Sequence, residues 1–489
     1  MIVLYNPPSS ASRKPILPMS LLAVGALLEE RYEYVIIDGN LEPDSFAAIE
    51  KVIVEQGADI LAVTVMPGPQ LADAVPLCQR MKATYPDVTI VWGGYFPTQH
   101  YDAVLRADYV DYVVRGHGEE AFISLLDVLK RGASPVALNG IAYHAGDDII
   151  PNAPAPIPHP DKLPDFPYHR IDLGRYIRRT FMGERTLPHH SSYGCPFFCN
   201  FCAVVNMVEG RWLAQSAERT AATVRKLVDE WQLDAIEFYD NNFFTSEKRV
   251  ATFSQSIMDL NIGWWGEGRI DTMIAYSDET WRLMRDSGLR MVFLGAESGS
   301  DETLKRMDKG GRASTQKTLE IAAKMAEYDI VPEMSFVVGN PPNPESDTRD
   351  TLDFIRKVKQ VNPRTEVIIY VYTPVPLGGE LYEQAKADGF AFPETLEGWI
   401  SDDWQDFIQR RSAHMPWMKD PIRRYVRDFE RVLNAYYPTS TDIRLTGFWR
   451  GMLRTVSAIR YHTQIYRYPL ELRALHKLIR YQRPETTGF

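Results

Sequence analysis

Three of the four cysteines in this chain of 489 residues, Cys195, Cys199 and Cys202, fall within eight residues of one another, and Cys78 is isolated. Three thiols this close cannot pair as disulfides without leaving one over. They suit one face of a metal cluster, because thiolates are the ligands that iron–sulfur clusters favour. A fourth iron without a cysteine would stay open to another ligand. The alternative, three unrelated buried cysteines, is disfavoured because cysteine is so scarce elsewhere in the chain.

The composition is that of a globular protein of two or three domains, with 45% hydrophobic and 24% charged residues. A net charge of −10 argues against general binding to nucleic acid. The start of the chain lacks the basic and apolar regions of a signal peptide, and its longest apolar helix candidate, residues 17–28, is too short to span a bilayer. Few cysteines and no export signal predict a protein of the reducing cytoplasm.

Residues 1–145 alternate short apolar segments with helical periods, which predicts a doubly wound parallel sheet. The predicted strands are Ile2–Tyr5, Tyr34–Ile37, Ile60–Val65, Thr89–Trp92 and Tyr109–Val114. Ligands of such sheets bind beyond the carboxyl ends of the strands, and glycine there allows close approach of the backbone. The alternative is that these glycines only form turns. The candidate binding residues are Asn6, Pro7, Asp38, Gly39, Thr64, Met66, Gly93, Gly94, Tyr95, Gly116, Gly118 and Glu119.

A proline-rich stretch, residues 146–184, predicts an extended linker. Over residues 185–390 the alternation resumes with six strand candidates, which suggest an open barrel with its chemistry at the carboxyl ends of the strands. The predicted strands are Leu187–Ser192, Ala235–Tyr239, Trp264–Ile270, Met291–Gly295, Met334–Val338 and Glu366–Tyr372. The candidate site residues after them are Asp240, Asn241, Asn242, Arg269, Glu297, Ser298, Gly339 and Asn340.

Residues 391–489 lose the strand pattern and gain aromatic residues, which predicts a mostly helical region. Phe448, Met452 and Val456 recur at helical spacing, with Arg450 and Arg454 on another face. Such a helix could line an apolar substrate pocket at the barrel mouth, or rest on a membrane surface. The sequence favours the plainer interpretation, an amphipathic helix whose apolar face docks on the protein.

The cysteine spacing, Cys-x3-Cys-x-aromatic-Cys with Phe201 as the aromatic residue, resembles the signature of the radical S-adenosylmethionine (SAM) enzymes. The resemblance implies a [4Fe–4S] cluster on the three cysteines, with SAM chelating the open iron. It implies that an electron, from a donor such as flavodoxin or ferredoxin, splits SAM into methionine and a 5′-deoxyadenosyl radical. The region from 185 to 390 would then be a partial (β/α)6 radical SAM barrel.

The same resemblance assigns roles around SAM. Asp240, with Asn241 and Asn242, would hold the ammonium group, and Arg269 would pair with the carboxylate through its planar fork. Glu297 would accept hydrogen bonds from the ribose hydroxyls. The remaining residues implied near SAM are Phe201, Ser298, Gly339 and Asn340. The alternative for each is a turn or a helix cap, which is the commoner role of an aspartate such as Asp240 taken alone.

The Gly93–Pro97 and Gly116–Glu120 loops resemble those of the cobalamin-binding domain that precedes the radical SAM domain in one large subfamily. The Asp-x-His-x-x-Gly motif that supplies a cobalt ligand in related domains is absent after the first strand, where the sequence is Asn-Pro-Pro-Ser-Ser. The resemblance therefore implies cobalamin bound with its own base displaced and without a histidine ligand. His117, which follows the fifth strand, is interpreted as a loop residue and not as a ligand. Met66 is a weak candidate for the lower face of the cofactor, and loop packing is the favoured interpretation.

Within this family the sequence most resembles the subgroup of anaerobic magnesium-protoporphyrin monomethyl ester cyclases and class B C-methyltransferases. The implied function is methylation of an unactivated carbon in a sizeable, largely apolar substrate, through a 5′-deoxyadenosyl radical and methylcobalamin. An oxidative cyclisation or rearrangement is the alternative. A non-catalytic corrinoid or redox sensor is disfavoured, because a sensor needs no second set of SAM-binding loops.

Overall fold

The computed structural model describes residues 1–9, 15–208, 210–307, 312–376, 379–408 and 417–479. Its first sheet has the strand order β2-β1-β3-β4-β5-β6-β7. The strands are β1 (Ile2–Asn6), β2 (Tyr34–Asp38), β3 (Ile60–Thr64), β4 (Thr89–Gly93), β5 (Tyr112–Val114), β6 (Ile141–Ala145) and β7 (Asp148–Pro151). The helices between them are α1 (Met19–Leu28), α2 (Ser45–Gln56), α3 (Pro69–Thr84), α4 (Tyr95–Gln99), α5 (Tyr101–Leu105) and α6 (Gly118–Lys130).

The predicted doubly wound sheet is confirmed, since β1 to β5 are all parallel. All five residues of β1 are buried, as expected for a central strand covered by helices on both faces. The sequence missed the antiparallel hairpin of β6 and β7, which extends the sheet past residue 145 into the predicted linker. Its strands are short and half exposed, so they lack the apolar run that marked the others.

The linker that follows binds to both domains. The Tyr176 hydroxyl donates to the Asp38 carboxylate at the end of β2, at 2.8 Å. Two residues further on, Arg178 forms an isolated antiparallel bridge with Thr186, with N···O distances of 3.0 and 2.8 Å. The linker therefore connects the end of the first sheet directly to the first strand of the second.

The second sheet has six parallel strands in the order β15-β14-β13-β12-β11-β8, and its two edge strands do not pair with each other. Its strands, with the separate pair β9 and β10, are β8 (Thr186–His189), β9 (Ser192–Gly194), β10 (Trp212–Ala214), β11 (Ala235–Phe238), β12 (Gly263–Gly268), β13 (Leu289–Glu297), β14 (Val331–Val338) and β15 (Glu366–Val371). Its helices are α7 (Val204–Val208), α8 (Ala217–Trp231), α9 (Glu247–Ile257), α10 (Ile270–Met273), α11 (Asp278–Asp286), α12 (Asp301–Arg306), α13 (Thr315–Glu327) and α14 (Pro344–Val361).

The open barrel is thus as predicted, with two corrections to its strands. The predicted strand Leu187–Ser192 is divided into β8 and β9, because the chain leaves the barrel sheet after His189 to pair with β10. The predicted strand Trp264–Ile270 ends at Gly268, and Ile270 begins α10. Serine caps fix where several barrel helices begin, each accepting from a backbone N–H three residues on; they are Ser216, Ser246, Ser277, Ser300 and Ser314.

The C-terminal region is helical, as predicted, with α15 (Glu380–Ala387), α16 (Leu396–Ile400), α17 (Asp402–Ile408), α18 (Asp420–Tyr436), α19 (Gly447–Thr463) and α20 (Leu470–Leu478). It touches both domains: α16 packs on α3, and α18 packs on α14. Among the described residues, no helix is both long and apolar enough to cross a membrane.

The expected docking of α19 through Phe448, Met452 and Val456 is wrong. The helix docks through another face, on which Leu453, Ser457 and Tyr461 are buried. Phe448 instead keeps 73% of its surface exposed. Apolar residues therefore lie on two faces of α19, and the sequence pattern alone did not show which face packs.

Gly288 lies immediately before β13, where both its backbone conformation and its surroundings require glycine. Its φ is +97°, and a Cβ there would lie 1.9 Å from the carbonyl oxygen of Ile262. We expect Gly288→Ala to cost about 2–5 kcal/mol, from the left-handed backbone and the forced movement of β12. Gly57 is the matched control, because its φ is +67° with nothing within 4 Å, so Gly57→Ala should cost only about 1 kcal/mol. Urea unfolding midpoints measure both, and equal losses would contradict the argument.

Candidate functional site

The three cysteines lie on a loop fastened at its base by the pairing of β9 with β10. Gly194 opens the loop with a φ of +79°, and a Cβ there would lie 2.2 Å from the Arg211 carbonyl oxygen. Cys199 is buried, and Cys195 and Cys202 are partly buried. The fourth cysteine, Cys78, lies in the core of the first domain and accepts a hydrogen bond from the Trp92 indole at 3.3 Å.

Each of two cysteine sulfurs faces a side-chain donor. Arg269 Nη1 donates to Cys199 Sγ at 3.2 Å, and Asn242 Nδ2 approaches Cys195 Sγ at 3.7 Å. Burial raises the pKa of the Cys202 thiol to about 12, with further contributions from the charges of the other two cysteines and of Glu297. The three sulfurs and Glu297 are thus close enough to interact, and a bound metal would deprotonate the thiols.

This donor set fits a cluster better than a single ion. No group of three His, Cys, Asp or Glu side chains in the described ranges is arranged to hold one metal ion. The thiolates of a cubane cluster bind separate irons and need not converge on a point. Cationic and amide donors to the sulfurs, as Arg269 and Asn242 supply, are typical of iron–sulfur sites.

Asp240 lies at the carboxyl end of β11, where it binds the cysteine segment. It is fully buried and accepts from the Ser191 N–H at 2.7 Å, from the Ser191 hydroxyl at 2.6 Å and from the Ser192 hydroxyl at 2.7 Å. Arg249 donates to the same Ser191 hydroxyl at 2.7 Å. The predicted contact of Asp240 with SAM therefore competes with three internal hydrogen bonds. Asn241 beside it is exposed.

Asn242 and Asn340 each carry a buried acceptor. Within the part of the chain that the structure describes, the Oδ1 atom of each has no hydrogen-bond partner. The amide of Asn340 is held by the Asp347 carboxylate at 2.9 Å and by the Val337 carbonyl at 2.8 Å. Because a buried acceptor without a partner costs free energy, these two atoms suit donors on a bound molecule, such as an ammonium or hydroxyl group.

Arg269 is placed at the site but not as predicted. Its planar fork binds Asp271, with Nε–Oδ1 at 3.0 Å and Nη2–Oδ2 at 2.9 Å, and its guanidinium stacks over Phe197 at 3.7 Å. The edge assigned to the SAM carboxylate is therefore occupied by a neighbouring carboxylate. Asp271, two residues along the chain from Arg269, was a partner that the sequence analysis missed.

The remaining predicted residues of the barrel divide into two groups. Glu297 is buried near Cys202 and has a φ of +64°, a strained conformation of a kind that recurs at functional sites. Phe201 packs against the barrel core. Ser298 instead contacts the Thr351 hydroxyl of α14 at 3.3 Å, and a Cβ at Gly339 would meet Met418 Sδ at 2.4 Å. These last two residues serve packing between elements.

In the first domain, the loops after β1 and β2 are internally bonded. Asn6 donates to Asp38 at 2.9 Å and accepts from Gln70 at 2.9 Å, and Gln70 also donates to the Pro7 carbonyl at 3.2 Å. A Cβ at Gly39 would lie 2.7 Å from Pro8. The glycine there is explained by close packing against Pro8 and Tyr5, which neither sequence interpretation included.

The loops after β3, β4 and β5 are more open. Met66 is 44% exposed, a Cβ at Gly116 would meet nothing within 4 Å, and one at Gly93 would meet Val114 only at 3.8 Å. The Thr64 hydroxyl lies 3.3 Å from the Ser20 hydroxyl, and Gly94 has a φ of +96°. With β1 between β2 and β3, the topological switch point lies beside these loops, where a doubly wound sheet binds its ligand.

The open loops of the first domain face the cysteine loop of the second. The Gln99 amide donates to the Ala203 carbonyl at 3.3 Å and accepts from Asn206 at 2.6 Å. Burial raises the pKa of Tyr95 to about 12, and the charge of Cys202 adds to it. Neither Gln99 nor Asn206 carried a sequence signal, because the packing of one domain on the other creates the contact.

A second contact joins the same two edges. The His117 ring lies 4.5 Å from the Tyr193 ring of β9, centroid to centroid. Tyr193 also binds the Glu119 carboxylate, and its pKa is raised by burial and by that charge. A Cβ at Gly118 would meet Val114 and Val24 at 3.6 Å, an ordinary contact distance. His117 Nε2 is buried and has no hydrogen-bond partner in the described ranges. That no histidine binds cobalt stays a prediction.

Comparison with protein-family models agrees with the cofactor expected in each of the two domains. Residues 11–126 match the B12 binding domain and residues 190–355 match the radical SAM superfamily. The chain belongs to the cobalamin-dependent radical SAM enzymes, and its cofactors are cobalamin and a [4Fe–4S] cluster that acts with SAM. Radical SAM chemistry also requires a reductant.

Two curated relatives and one solved structure are similar to the chain over most of its length. It is 26% identical over 396 residues to an uncharacterized methyltransferase of Pyrococcus horikoshii, covering 79% of this chain and 83% of that protein. It is 26% identical over 373 residues to the anaerobic magnesium-protoporphyrin IX monomethyl ester cyclase of Synechocystis, covering 74% of this chain and 72% of that protein. The methyltransferase TsrM from Kitasatospora setae shares its fold, with a TM-score of 0.64 at 16% identity over 79% of this chain and 75% of that chain.

We expect Cys199→Ala to lower the iron content after anaerobic reconstitution, because the remaining two thiols hold the cluster poorly. The unchanged protein should bind about four irons per chain. Cys78→Ala is the matched control and should keep its iron, since Cys78 is buried in the core of the first domain. Iron and sulfide assays measure both. A full cluster in Cys199→Ala with loss in Cys78→Ala would show that the cysteine assignment is wrong.

A substitution of Asp240 can distinguish two roles for this residue: holding the cysteine loop in position, and binding SAM directly. If its role is to hold Ser191 and Ser192, Asp240→Asn weakens the cysteine loop by about 1.5–3 kcal/mol, and the reconstituted cluster is lost faster to a chelator. Asn241→Ala, at the exposed neighbour, should not change this rate. Unchanged chelation, combined with loss of the SAM-induced change in the spectrum of the reduced cluster, would instead favour direct SAM binding.

Proposed function

We propose that this enzyme transfers a methyl group from SAM to an unactivated carbon of a sizeable, largely apolar substrate. The observation that carries the proposal is that the two cofactor-binding edges, the loop edge of the first sheet and the cysteine loop of the barrel, face each other directly. Gln99 contacts Ala203, and Tyr95 lies close enough to Cys202 to feel its charge. Methylation of an unreactive carbon requires hydrogen removal and methyl delivery at one atom. Holding both reagents at the same gap provides the orientation that such a reaction needs.

When bound, the cluster with SAM would supply one-electron chemistry for hydrogen removal, and cobalamin would supply a transferable methyl group. The chain's own residues hold and orient these groups. Cys195, Cys199 and Cys202 would bind the cluster, and Arg269 donates to a thiolate of the set. Asp240 fixes the loop that carries them. Asn242 and Asn340 provide the free buried acceptors for SAM.

An apolar substrate is supported by an aromatic cluster between the barrel mouth and the first domain. Tyr372 follows β15 and lies 6.0 Å from Trp417, and Trp399 lies 4.9 Å from Phe96 of α4, centroid to centroid. Aromatic rings provide large rigid contact areas for apolar ligands. The Tyr372 hydroxyl and the Trp417 indole N–H are buried, and neither has a hydrogen-bond partner among the residues that the structure describes. A ligand that is mostly apolar, with a few polar atoms, would complement this set.

The alternative reaction is an oxidative cyclisation or rearrangement without methyl transfer. It is favoured by the similarity to several anaerobic magnesium-protoporphyrin IX monomethyl ester cyclases. The same arrangement of the two cofactor-binding edges would also suit a cyclisation. For either reaction we propose flavodoxin or ferredoxin as the electron donor and the cytoplasm as the compartment.

Isotope labelling distinguishes the two reactions. We expect anaerobic incubation of the loaded enzyme with reductant, methyl-labelled SAM and an apolar extract to give a labelled product. S-adenosylhomocysteine and 5′-deoxyadenosine should both form, because one SAM is a methyl source and another is the source of the hydrogen-abstracting group. Mass spectrometry of the extract measures the label.

Two controls make the experiment specific. Cys199→Ala should form neither 5′-deoxyadenosine nor labelled product, whereas Cys78→Ala should form both. 5′-Deoxyadenosine accompanied by an oxidised or cyclised product without label would reject methyl transfer in favour of the alternative.

A further inference from the structure

The outer surface of the C-terminal helices is unusually apolar. Of the fifteen large apolar side chains exposed on the described residues, nine lie between Ile443 and Leu478. The C-terminal apolar surface is defined here by six of them: Phe448, Val456, Ile459, Tyr468, Leu470 and Leu478. Scattered exposed apolar residues are ordinary, but a concentration of them marks an interaction site.

The surface is carried by a hairpin of α19 and α20. Arg460 joins the two helices, donating to the carbonyls of Ile465 at 3.1 Å and of Arg467 at 3.0 Å, and to the Glu471 carboxylate at 3.0 Å. Arg473 of α20 binds Asp428 of α18 at 3.0 Å. The exposed side chains are therefore presented by elements fixed to the barrel, with Ile459 at 76% exposure and Leu478 at 79%.

On α19 the exposed apolar residues form one stripe. Phe448, Val456 and Ile459 lie on one helix face, at intervals of eight and three residues, and the partly buried Met452 lies on the same face between the first two. Leu453, Ser457 and Tyr461 form the buried face on the other side. Because the docking requirement of the helix is already met, the outer stripe is apolar for another reason.

The charges around this surface identify its partner. Residues 441–479 contain seven Lys or Arg against two Asp or Glu, within a chain of net charge −10. Arg444, Arg454, Arg467 and Lys477 are exposed among the apolar residues. Aromatic and aliphatic side chains mixed with basic residues are the composition of helices that lie in the interface of anionic membranes.

Other occupants fit less well. A second copy of the chain, seated through the same surface, would bring like charges together. An electron donor must approach the cysteine loop at the carboxyl edge of the barrel. The start of α19 lies at the other edge, since Arg450 binds the Thr439 carbonyl beside Ser440, which donates to Glu366 at the amino end of β15 at 3.0 Å.

We propose that the C-terminal apolar surface docks the enzyme on an anionic membrane, with α19 and α20 lying in the plane of the headgroups. The contact is peripheral: the apolar side chains enter the interface and the arginines pair with acidic headgroups. It uses a surface separate from the cofactor edges, so it does not depend on which reaction the enzyme catalyses.

Co-sedimentation with vesicles tests the proposal on the full chain. We expect binding to vesicles of phosphatidylcholine mixed with phosphatidylglycerol, weaker binding to phosphatidylcholine alone, and a decrease with added salt. Phe448→Ser combined with Ile459→Ser should lower the partition coefficient at least about tenfold, because membrane affinity scales with buried apolar area. Arg454→Gln should weaken binding only to the vesicles that contain phosphatidylglycerol.

Val54→Ser combined with Val136→Ser is the matched control, since both valines are about equally exposed, at 66% and 67%, in the first domain. This control should bind vesicles as the unchanged protein does. Equal binding by the Phe448 and Ile459 variant would overturn the proposal. So would failure of the unchanged protein to bind vesicles, whether light scattering then shows the surface to be a dimer contact or pull-down shows a protein partner.

Discussion

The cysteine loop depends on one buried carboxylate. Asp240 accepts three hydrogen bonds from Ser191 and Ser192, so the residues just before the first cysteine are fastened to the end of β11. The cost of burying this charge is offset by those donors and by Arg249 nearby. A loop that must hold three sulfurs in fixed positions cannot supply that rigidity itself, and the barrel supplies it through this aspartate.

Two further contacts hold the cysteine loop against the first domain. Gln99 binds the backbone just after the last cysteine, and Tyr193, which precedes the first, binds Glu119. The cysteine loop is therefore held at both ends by the domain that carries cobalamin. This arrangement brings the edges of the two domains together although their sequences match separate family models.

The sequence predicted the architecture well because strong local signals specify it. Apolar strands such as β1 and β13, and the cysteine spacing, need no tertiary information. Side-chain roles were harder, because they depend on neighbours distant in sequence. Arg269 was assigned to SAM from its position after a strand, but Asp271 occupies its fork. The outward face of α19 was missed for the same reason: two apolar stripes on one helix look alike until the partner of one is known.

One segment of the linker, residues 176–178, bears on which substrates can reach the cofactors. Tyr176 is bonded to the end of β2, and Arg178 is bridged to the first strand of the barrel, with a single residue between them. This segment is too short to stretch, so the two domains cannot separate without breaking either the Tyr176 hydrogen bond or the Arg178 bridge. We therefore expect the space between the two cofactor-binding edges to keep a fixed width. Under the proposed function, the thickness of the reacting part of a substrate would then matter more than its overall length.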